Sequence, residues 1–476
     1  MSVVDDGRDT VPSAPDRKRE QRGWVWYDWA NQVFPTTVTT VFGALYLTAV
    51  AADAALADTA TNGPNPCPEK ADGSTNKLVD CQIDLFGWHF QAGSLWGYLL
   101  AAATIVQVLI VPLLAAIADR TQHKKRMLAF TAFGGSLACA LMVFVSGTNW
   151  QLGSILFILA NIGWGASVVI YYSFIPEIAT ADERDALSTR GWAFGYLGGG
   201  VALALQLVVY LMHDSLGLTE GNAAQIAFLT SGLWWAAFTL IPLRRLKDHQ
   251  RPHGTEHGPG GVVRGGFREL VDTVKLAKAY PLTLAFLGTY LIYTDGIATV
   301  ANVSAQYGSE ELGFEDTVLI STILIVQFVA FLGGVLHGLV ARRFGAKRTI
   351  MMSLAVWVVV IGAAYFVQAG QAMQFYLLAV GIGLVLGGTN ALSRSLYSQM
   401  VPPGKEAQYF SIYEISERAT SWMGPLLFAS VAGATGSYRP AIISLVIFFF
   451  VGLVLMFFVP VRRAIRAVGN PEPSVL

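Results

Sequence analysis

The sequence predicts an all-α integral membrane protein with twelve transmembrane helices in two pseudo-symmetric six-helix bundles. Of its 476 residues, 54% are hydrophobic and only 13% are charged, whereas soluble domains carry about 25% charged residues. Apolar runs of about 20 residues, each long enough to cross a hydrocarbon core of roughly 30 Å, recur along the whole chain. A charged hairpin also occurs between two apolar runs in each half, which indicates a duplicated protein.

The apolar runs define the predicted spans. They cover residues 26–51, 91–117, 127–146, 151–175, 191–212, 224–243, 281–304, 317–341, 349–368, 372–396, 408–433 and 439–460. Since no small-residue cleavage pattern accompanies the first run, we expect it to be an uncleaved span rather than a signal peptide.

The polar segments between these spans predict the domain organisation. It consists of a disordered tail at residues 1–22, a first bundle at 23–243 with a long outer loop at 53–88, a linker at 244–280, a second bundle at 281–460 and a final tail at 461–476. Within the linker, an apolar face on residues 267–278 predicts a surface helix.

Lysine and arginine collect in the loops of one side, which predicts that this side is cytoplasmic. They fall within residues 17–22, 124–126, 244–247, 342–348 and 462–466. Both termini lie on that side, so the number of spans must be even, and twelve satisfies this condition. We therefore expect a multi-pass protein of the cell membrane, with lipid around it and both termini in the cytoplasm. The net charge of zero gives no indication of nucleic-acid binding.

The first charged hairpin, residues 115–126, carries Asp119, Arg120 and Lys124. The acid can pair with Arg120 or with N–H donors at the end of a helix in the other half. Such a pair holds one conformation closed, and about 1–3 kcal/mol biases a two-state equilibrium tenfold or more. Membrane topology alone explains the basic residues but does not require the acid, so we predict a latch here.

The second hairpin, residues 338–347, is a degenerate copy of the first. It keeps Arg343 and Lys347, which we also consider gating candidates, but has Arg342 where the first copy has an acid. Because this exchange reverses the charge, the two hairpins cannot act identically. The predicted latch is asymmetric and lies in the N-terminal half.

Polar groups inside the spans are the candidates for substrate binding and coupling, because an ionisable group there costs at least about 2.5 kcal/mol. Asp28 and Asn31 lie early in span one, and Asp295 lies near the middle of span seven. Asp28 is also explained as an acid at a helix start among interfacial aromatic residues. The two acids lie at different depths, so we do not pair them.

The second half adds two charges and two neutral polar groups. Arg394 in span ten suits a substrate carboxylate and Glu414 in span eleven suits a proton, although Glu414 can instead pair with Arg418 one turn away. Tyr293 and Asn390 are further candidates for the cavity wall. Arg190, which opens span five, is either a gate partner or part of a solvated loop cluster.

The three cysteines show no metal-ligand spacing. Cys67 and Cys81 lie in one polar loop and can form a disulfide if that loop faces an oxidising compartment. No catalytic or phosphate-binding motif is present, and we expect no cofactor and no resident metal.

Twelve spans, a long middle connector and the repeated hairpin resemble the major facilitator superfamily, whose hairpin reads Gly-x-x-x-Asp-Arg-x-Gly-Arg-Lys or close to it. Four further stretches resemble one of its branches, the vacuole-effluxer-like permeases associated with autophagy. They are Tyr-Asp-Trp-Ala-Asn at residues 27–31, Ser-Thr-Arg-Gly-Trp-Ala-Phe-Gly-Tyr-Leu-Gly-Gly at 188–199, Tyr-Thr-Asp-Gly at 293–296, and the stretch from 387 to 425 with Asn-Ala-Leu-Ser-Arg-Ser-Leu. The resemblance implies a secondary transporter, with amino-acid efflux as the best-known family activity.

We therefore expect a secondary active transporter, not an enzyme, that moves a small polar solute such as an amino acid by alternating access. The proton is the expected coupling ion, and the monomer is the expected working unit. Two alternatives are a membrane-embedded enzyme acting on lipid and a transporter-like receptor or scaffold that does not cycle. The chain lacks a catalytic constellation for the first. The intramembrane acids argue against the second, although the degenerate second hairpin favours it.

Overall fold

The structure is a computed structural model that describes residues 13–63, 66–69, 75–77, 79–121, 123–249 and 278–476, without the side chains of residues 61, 316, 317 and 419. Except for residue 278, the predicted surface helix at 267–278 lies outside the described residues. Most of the predicted linker at 244–280 also lies outside them.

The first bundle is built from six membrane-spanning units. The first unit joins α1 (Ala14–Asn31), a π-helical segment (Phe34–Phe42) and α2 (Gly43–Ala57). The others are α4 (Leu95–Thr121), α5 (Lys124–Leu141), α6 (Trp150–Tyr172), α8 (Arg184–Leu211) and α9 (Glu220–Arg245), with the short helices α3 (Thr59–Asn62) and α7 (Ile175–Ile178) between them.

The loop between the first two units contains a small hairpin. Strand β1 (Gln82–Leu85) pairs antiparallel with β2 (Trp88–Gln91), and a disulfide joins Cys67 to Cys81. We call this end of the molecule the disulfide end. The opposite end, which carries residues 119–124 and 342–348, is called the hairpin end.

The second bundle repeats the plan with one interruption. Its helices are α10 (Pro281–Gln306), α11 (Asp316–Phe344), α12 (Ala346–Ala364), α13 (Ala372–Gln399), α14 (Glu406–Thr420), α15 (Met423–Thr435), α16 (Tyr438–Ser444), α17 (Val446–Phe458) and α18 (Val461–Ala467). Predicted span eleven is broken at Ser421 and Trp422, between α14 and α15. For this reason, eleven rather than twelve continuous helices of the described residues are long and apolar enough to cross a membrane.

The predicted disordered tail at residues 1–22 is wrong for its second part, because α1 begins at Ala14. The contacts of the first two turns of α1 explain the difference. Arg17 Nε donates to a Glu183 carboxylate oxygen at 2.7 Å, and Gln21 Nε2 donates to the Ile178 carbonyl at 2.9 Å. These partners lie more than 150 residues away in the sequence, so local composition gives no indication of them. The final tail likewise begins with a helix, α18.

The two bundles cross most closely where α8 lies against α11. Glycines on α11 permit this approach. A Cβ atom at Gly334 would lie 3.0 Å from the Ala193 Cβ, and one at Gly338 would lie 2.6 Å from the Thr189 Oγ1. The helices α4 and α6 of the first bundle also contact α14 of the second.

Candidate functional site

Four charged residues form a buried cluster across the two bundles at the hairpin end, which we call the gate cluster: Asp119, Lys124, Glu177 and Glu406. The Lys124 ammonium lies 2.7 Å from Glu177 and 3.3 Å from both Asp119 and Glu406. The lysine side chain is only 8% exposed. Since Glu406 alone belongs to the second bundle, one cation ties the bundles together.

Asp119 also binds the start of α14 directly. Its two carboxylate oxygens accept the backbone N–H groups of Ala407 at 3.2 Å and Gln408 at 3.0 Å. The first N–H groups of a helix lack partners within the helix and carry partial positive charge, so they favour a carboxylate. This is the second of the two pairings that the sequence allowed for Asp119. Within the described part of the chain, Arg120 forms no ion pair.

The second hairpin forms different contacts. The Lys347 ammonium donates to the carbonyls of Phe457 at 3.0 Å and Val459 at 2.8 Å, at the end of α17 in the same bundle. Arg343 is exposed and lies over the ring of Phe344. Neither cation reaches the first bundle through these contacts, so the structure does not bring the second pair of gating candidates to the bundle interface.

A second charge pair lies deeper between the bundles. The Arg394 side chain on α13 is fully buried, and two of its guanidinium nitrogens donate to one Asp28 oxygen on α1 at 3.3 Å. The arginine also donates to the Ser188 hydroxyl at 2.8 Å and to the Ser188 carbonyl at 2.9 Å. The Ser188 hydroxyl in turn donates to the Ala391 carbonyl at 2.6 Å.

Aromatic rings surround this guanidinium. The Arg394 Cζ lies 4.6 Å from the ring centre of Tyr172, 4.9 Å from Trp24, 5.5 Å from Trp192 and 5.9 Å from Tyr171. All four rings belong to the first bundle, so the second bundle inserts a cation into an aromatic box that the first provides. Desolvated cation–π contacts are worth about 2 kcal/mol each. They offset part of the cost of burying the charge.

Further polar contacts join the bundles between these two sites. Arg184 donates to the Ser398 carbonyl at 2.8 Å, and the Ser395 hydroxyl donates to Asp185 at 2.6 Å. Arg190, a predicted gate partner, is exposed and takes no part in these contacts. Six residues separate it from Arg184, which turns it to another face of α8.

Asp295 lies at the break in span eleven. One carboxylate oxygen accepts the Gly424 N–H at 2.7 Å and so caps the start of α15 from another helix. The other oxygen is buried and has no hydrogen-bond partner among the described residues. A buried acceptor without a partner calls for an explanation, such as a proton, an ion or water.

A third acidic group lies on α14. Glu417 accepts the Tyr290 hydroxyl at 2.5 Å, whereas Glu414 lies 3.8 Å from Arg418. The predicted intrahelical pair is therefore present but long. The Arg418 guanidinium also lies 5.2 Å from the Trp164 ring of the first bundle.

The remaining polar candidates are Tyr293, Asn31 and Asn390, whose polar groups lie in the protein interior. The Tyr293 hydroxyl lies 2.5 Å from the Ser393 hydroxyl. The Asn31 Nδ2 and the Asn390 Oδ1 are buried and have no hydrogen-bond partner among the described residues. Each can therefore bind a solute group without first breaking a protein hydrogen bond.

The sequence analysis did not select Glu406, Ser188 or Glu177 as site residues. The only indication of a role for Glu406 in the sequence is that this acid lies in the first turn of a membrane-spanning helix, α14. Ser188 opens one of the four family-like stretches, but a lone serine gives no indication of binding an arginine. The pairing of Asp28 with Arg394 joins residues 366 positions apart.

The family model described as "Vacuole effluxer Atg22 like" matches residues 16–469 of the chain. The chain belongs to this family. The match contains both charge clusters and the break in span eleven. The predicted resemblance and the predicted fold class are therefore confirmed.

Curated relatives and solved structures agree with this assignment. The "Uncharacterized MFS-type transporter YxiO" of Bacillus subtilis is 28% identical over 450 residues, which cover 93% of this chain and 95% of that protein. Autophagy-related protein 22-1 of Neosartorya fischeri is 25% identical over 95% of this chain and 91% of its own.

Two solved transporters share the fold. The human organic anion transporter MFSD10 aligns over 92% of this chain and 99% of its own, with a TM-score of 0.64 at 12% identity. The proton:xylose symporter XylE aligns over 94% and 97%, with a TM-score of 0.64 at 13% identity. By its family and its curated relatives, this member of the vacuole-effluxer family is a multi-pass membrane protein and a secondary transporter, not an enzyme.

Proposed function

We propose that this transporter moves small amino acids, or related metabolites that carry a carboxylate, by alternating access coupled to protons. The observation that carries the proposal is the buried Arg394 of one bundle, held by Asp28 and four aromatic rings of the other. Charges at this position must separate when the bundles move apart. A buried pair also adds little to stability compared with apolar packing, so a functional reason for these charges is the better explanation.

The chemistry of Arg394 suits a carboxylate substrate. A guanidinium presents a planar fork of donors that a carboxylate oxygen pair matches. In the structure, Asp28 supplies only one oxygen to this fork, at 3.3 Å. A substrate carboxylate that offers two oxygens competes well with it. The surrounding aromatic faces can then receive a substrate ammonium through cation–π contacts.

Proton coupling follows from the same pair. When Asp28 is ionised, it holds Arg394 and keeps the bundles joined. A proton on Asp28 removes the negative charge, and Arg394 is then free to bind the substrate carboxylate. Proton binding and substrate binding thereby become linked at one arginine. Asp295, with its unpartnered oxygen, is a second candidate for carrying a coupling proton.

The gate cluster and the Arg394 pair hold the hairpin end closed. We propose that this end faces the cytoplasm, in accordance with its lysine and arginine excess, and that the membrane is the cell membrane. The structure then corresponds to a state closed toward the cytoplasm. Each bundle supplies part of the site, so a monomer suffices for a complete cycle.

The test is uptake of radiolabelled amino acids into proteoliposomes under an imposed pH gradient. Asp28→Asn should abolish the dependence on the gradient, and Arg394→Lys should lower substrate affinity about 10- to 100-fold, because a fork of charge-assisted hydrogen bonds is replaced by a single point charge. Arg190→Lys is the matched control, since this arginine is exposed, and it should transport like the wild type.

Two results would remove the proposal. The first is that wild-type protein changes between open and closed states of the hairpin end, as measured with spin labels, but transports no amino acid or related carboxylate. The second is that Arg394→Lys retains wild-type affinity for the transported solute.

A further inference from the structure

A cavity lined almost wholly by cations lies at the hairpin end, outside both charge clusters. Its volume is about 510 Å³, and Pro15, Lys18, Arg19, Arg22 and Arg245 line it. None of the four cations forms an ion pair with the residues that the structure describes, although ion pairs occur close by: Lys247, two residues after Arg245, lies 3.4 Å from Asp16. Asp16, which interacts electrostatically with Arg19, offsets part of this charge, but the concave site keeps an excess of positive charge and is suited to a polyvalent anion.

The cavity is built by two helices. Residues 15, 18, 19 and 22 follow one another at intervals of three, one and three positions, so they share one face of α1. Arg245 enters from the end of α9 and lies against Gly23, where a Cβ atom would come within 2.5 Å of the Arg245 Cβ. Gly23 therefore lets this arginine lie close to α1.

The same faces continue toward the membrane as an aromatic surface. Trp26 and Trp29 follow Arg22 on α1 at intervals of four and three residues. The Trp26 ring stacks on Phe238 of α9 at 5.8 Å, and the Trp29 ring stacks on Trp234 at 5.6 Å. All four rings are partly exposed. Tryptophan at this position is typical of the level of lipid headgroups.

Cations at the headgroup level, directly above an aromatic surface, match the two parts of a phospholipid. We propose that this cavity binds the phosphate of an anionic phospholipid headgroup and that the aromatic surface on α1 and α9 receives the adjoining part of the lipid. A soluble phosphate offers the same anion chemistry but makes no use of the rings. The general excess of basic residues on this side does not require a cavity shared by two helices.

The test is native mass spectrometry of the full-length protein in neutral detergent, titrated with phosphatidylglycerol, phosphatidylcholine or inorganic phosphate. The pocket variant carries Arg19→Gln and Arg22→Gln. The matched control carries Arg462→Gln and Arg463→Gln, which remove two exposed cations at the same end but outside the cavity. Each cation near an anionic lipid contributes about fivefold in affinity, so the pocket variant should lose about 25-fold for phosphatidylglycerol and the control less than twofold.

Two further variants distinguish a lipid phosphate from a soluble phosphate and the geometry of the cavity from its charge. Trp26→Leu should weaken phosphatidylglycerol binding and leave binding of inorganic phosphate unchanged. Gly23→Ala changes no charge but displaces Arg245, and it should weaken phosphatidylglycerol binding severalfold.

Three results overturn the proposal. The first is an equal loss of phosphatidylglycerol affinity in the pocket variant and the control variant. The second is that the wild type binds phosphatidylglycerol no more tightly than phosphatidylcholine. The third is that inorganic phosphate binds as tightly as the lipid and that Trp26→Leu has no effect. The last result would assign the cavity to a soluble phosphate instead.

Discussion

Substituting Glu406 by glutamine should open the hairpin end. In the structure, Glu406 is the only acid of the gate cluster in the second bundle, and its carboxylate lies 3.3 Å from the Lys124 ammonium. Its other oxygen accepts the Gly404 N–H at 2.9 Å, a local contact that glutamine can keep. The substitution therefore removes the charge between the bundles and leaves the local hydrogen bond intact.

The magnitude follows from the distance and from what happens on opening. Two unit charges 3.3 Å apart attract by about 5 kcal/mol at an effective dielectric constant of about 20. Most of this attraction is offset because both groups regain water when the bundles separate. A hydrogen bond between charged groups retains about 1.5–3 kcal/mol net, which corresponds to a roughly 10- to 150-fold shift of the open-to-closed ratio.

Glu177→Gln is the matched control for this substitution. Glu177 binds the same ammonium at the shorter distance of 2.7 Å, but both residues belong to the first bundle. Their contact is available in the open and the closed state, so its loss should cancel from the ratio and shift it less than threefold.

Pulsed electron paramagnetic resonance between spin labels attached at His123→Cys and Pro403→Cys measures the open-to-closed ratio. These two exposed positions lie on opposite bundles at the hairpin end. The native cysteines do not interfere, since two are joined and Cys139 is buried. The reasoning fails if Glu406→Gln leaves the distance distribution unchanged, or if Glu177→Gln shifts it equally.

Substitutions at three other positions test separate features. Asp295→Asn keeps an acceptor for the start of α15 but cannot carry the coupling proton, so we expect it to abolish the pH dependence of uptake into proteoliposomes. Asp295→Ala should in addition lower the thermal stability, because it removes the acceptor. An Asn variant whose uptake responds to pH like that of the wild type rules out a coupling role and leaves Asp295 as a helix cap only. The hydrogen bond with Glu20 of α1 raises the pKa of His249. The ion pair between the protonated imidazole and Glu20 is therefore complete below the ordinary histidine pKa of about 6.5, and it is lost as the pH rises through the raised value. Hydrogen exchange of α1, corrected for intrinsic rates, should therefore increase as the pH rises above about 6.5. His249→Gln should remove the pH dependence, and an identical profile in this variant contradicts the assignment. Gly338→Val should block cycling in the labelled protein while leaving it folded, whereas normal transport by this variant shows that the helices are not in tight contact during the cycle.

Much of the fold could be predicted because membrane insertion leaves a direct signature in the sequence. Each span requires about 20 apolar residues, and such runs can be counted. The break in span eleven could not be predicted in this way, because Ser421 and Trp422 interrupt the helix and not the apolar run. The cap that Asp295 provides comes from a residue 129 positions away.

The candidate site was predictable in its residue types and not in its pairings. Asp119, Asp28 and Arg394 stand out because charges in or beside an apolar span need a partner. Which partner each one has depends on how the bundles are packed. Lys124 illustrates the limit: its sequence context is typical of positive-inside topology, yet the fold buries its ammonium among three carboxylates.

The contact of α8 with α11 has a consequence for the kinetics of the proposed transport cycle. Gly334 and Gly338 face Ala193 and Thr189, and Gly200 faces Gln327 and Phe328, so a glycine forms one side of each of these contacts. The two surfaces can slide past each other with little change of side-chain rotamers. Resistance to motion should then come mainly from the polar contacts at the hairpin end. The activation barrier for exchange is therefore set mainly by the desolvation and separation of a few charges, and charge substitutions should change its height far more than conservative changes in apolar packing.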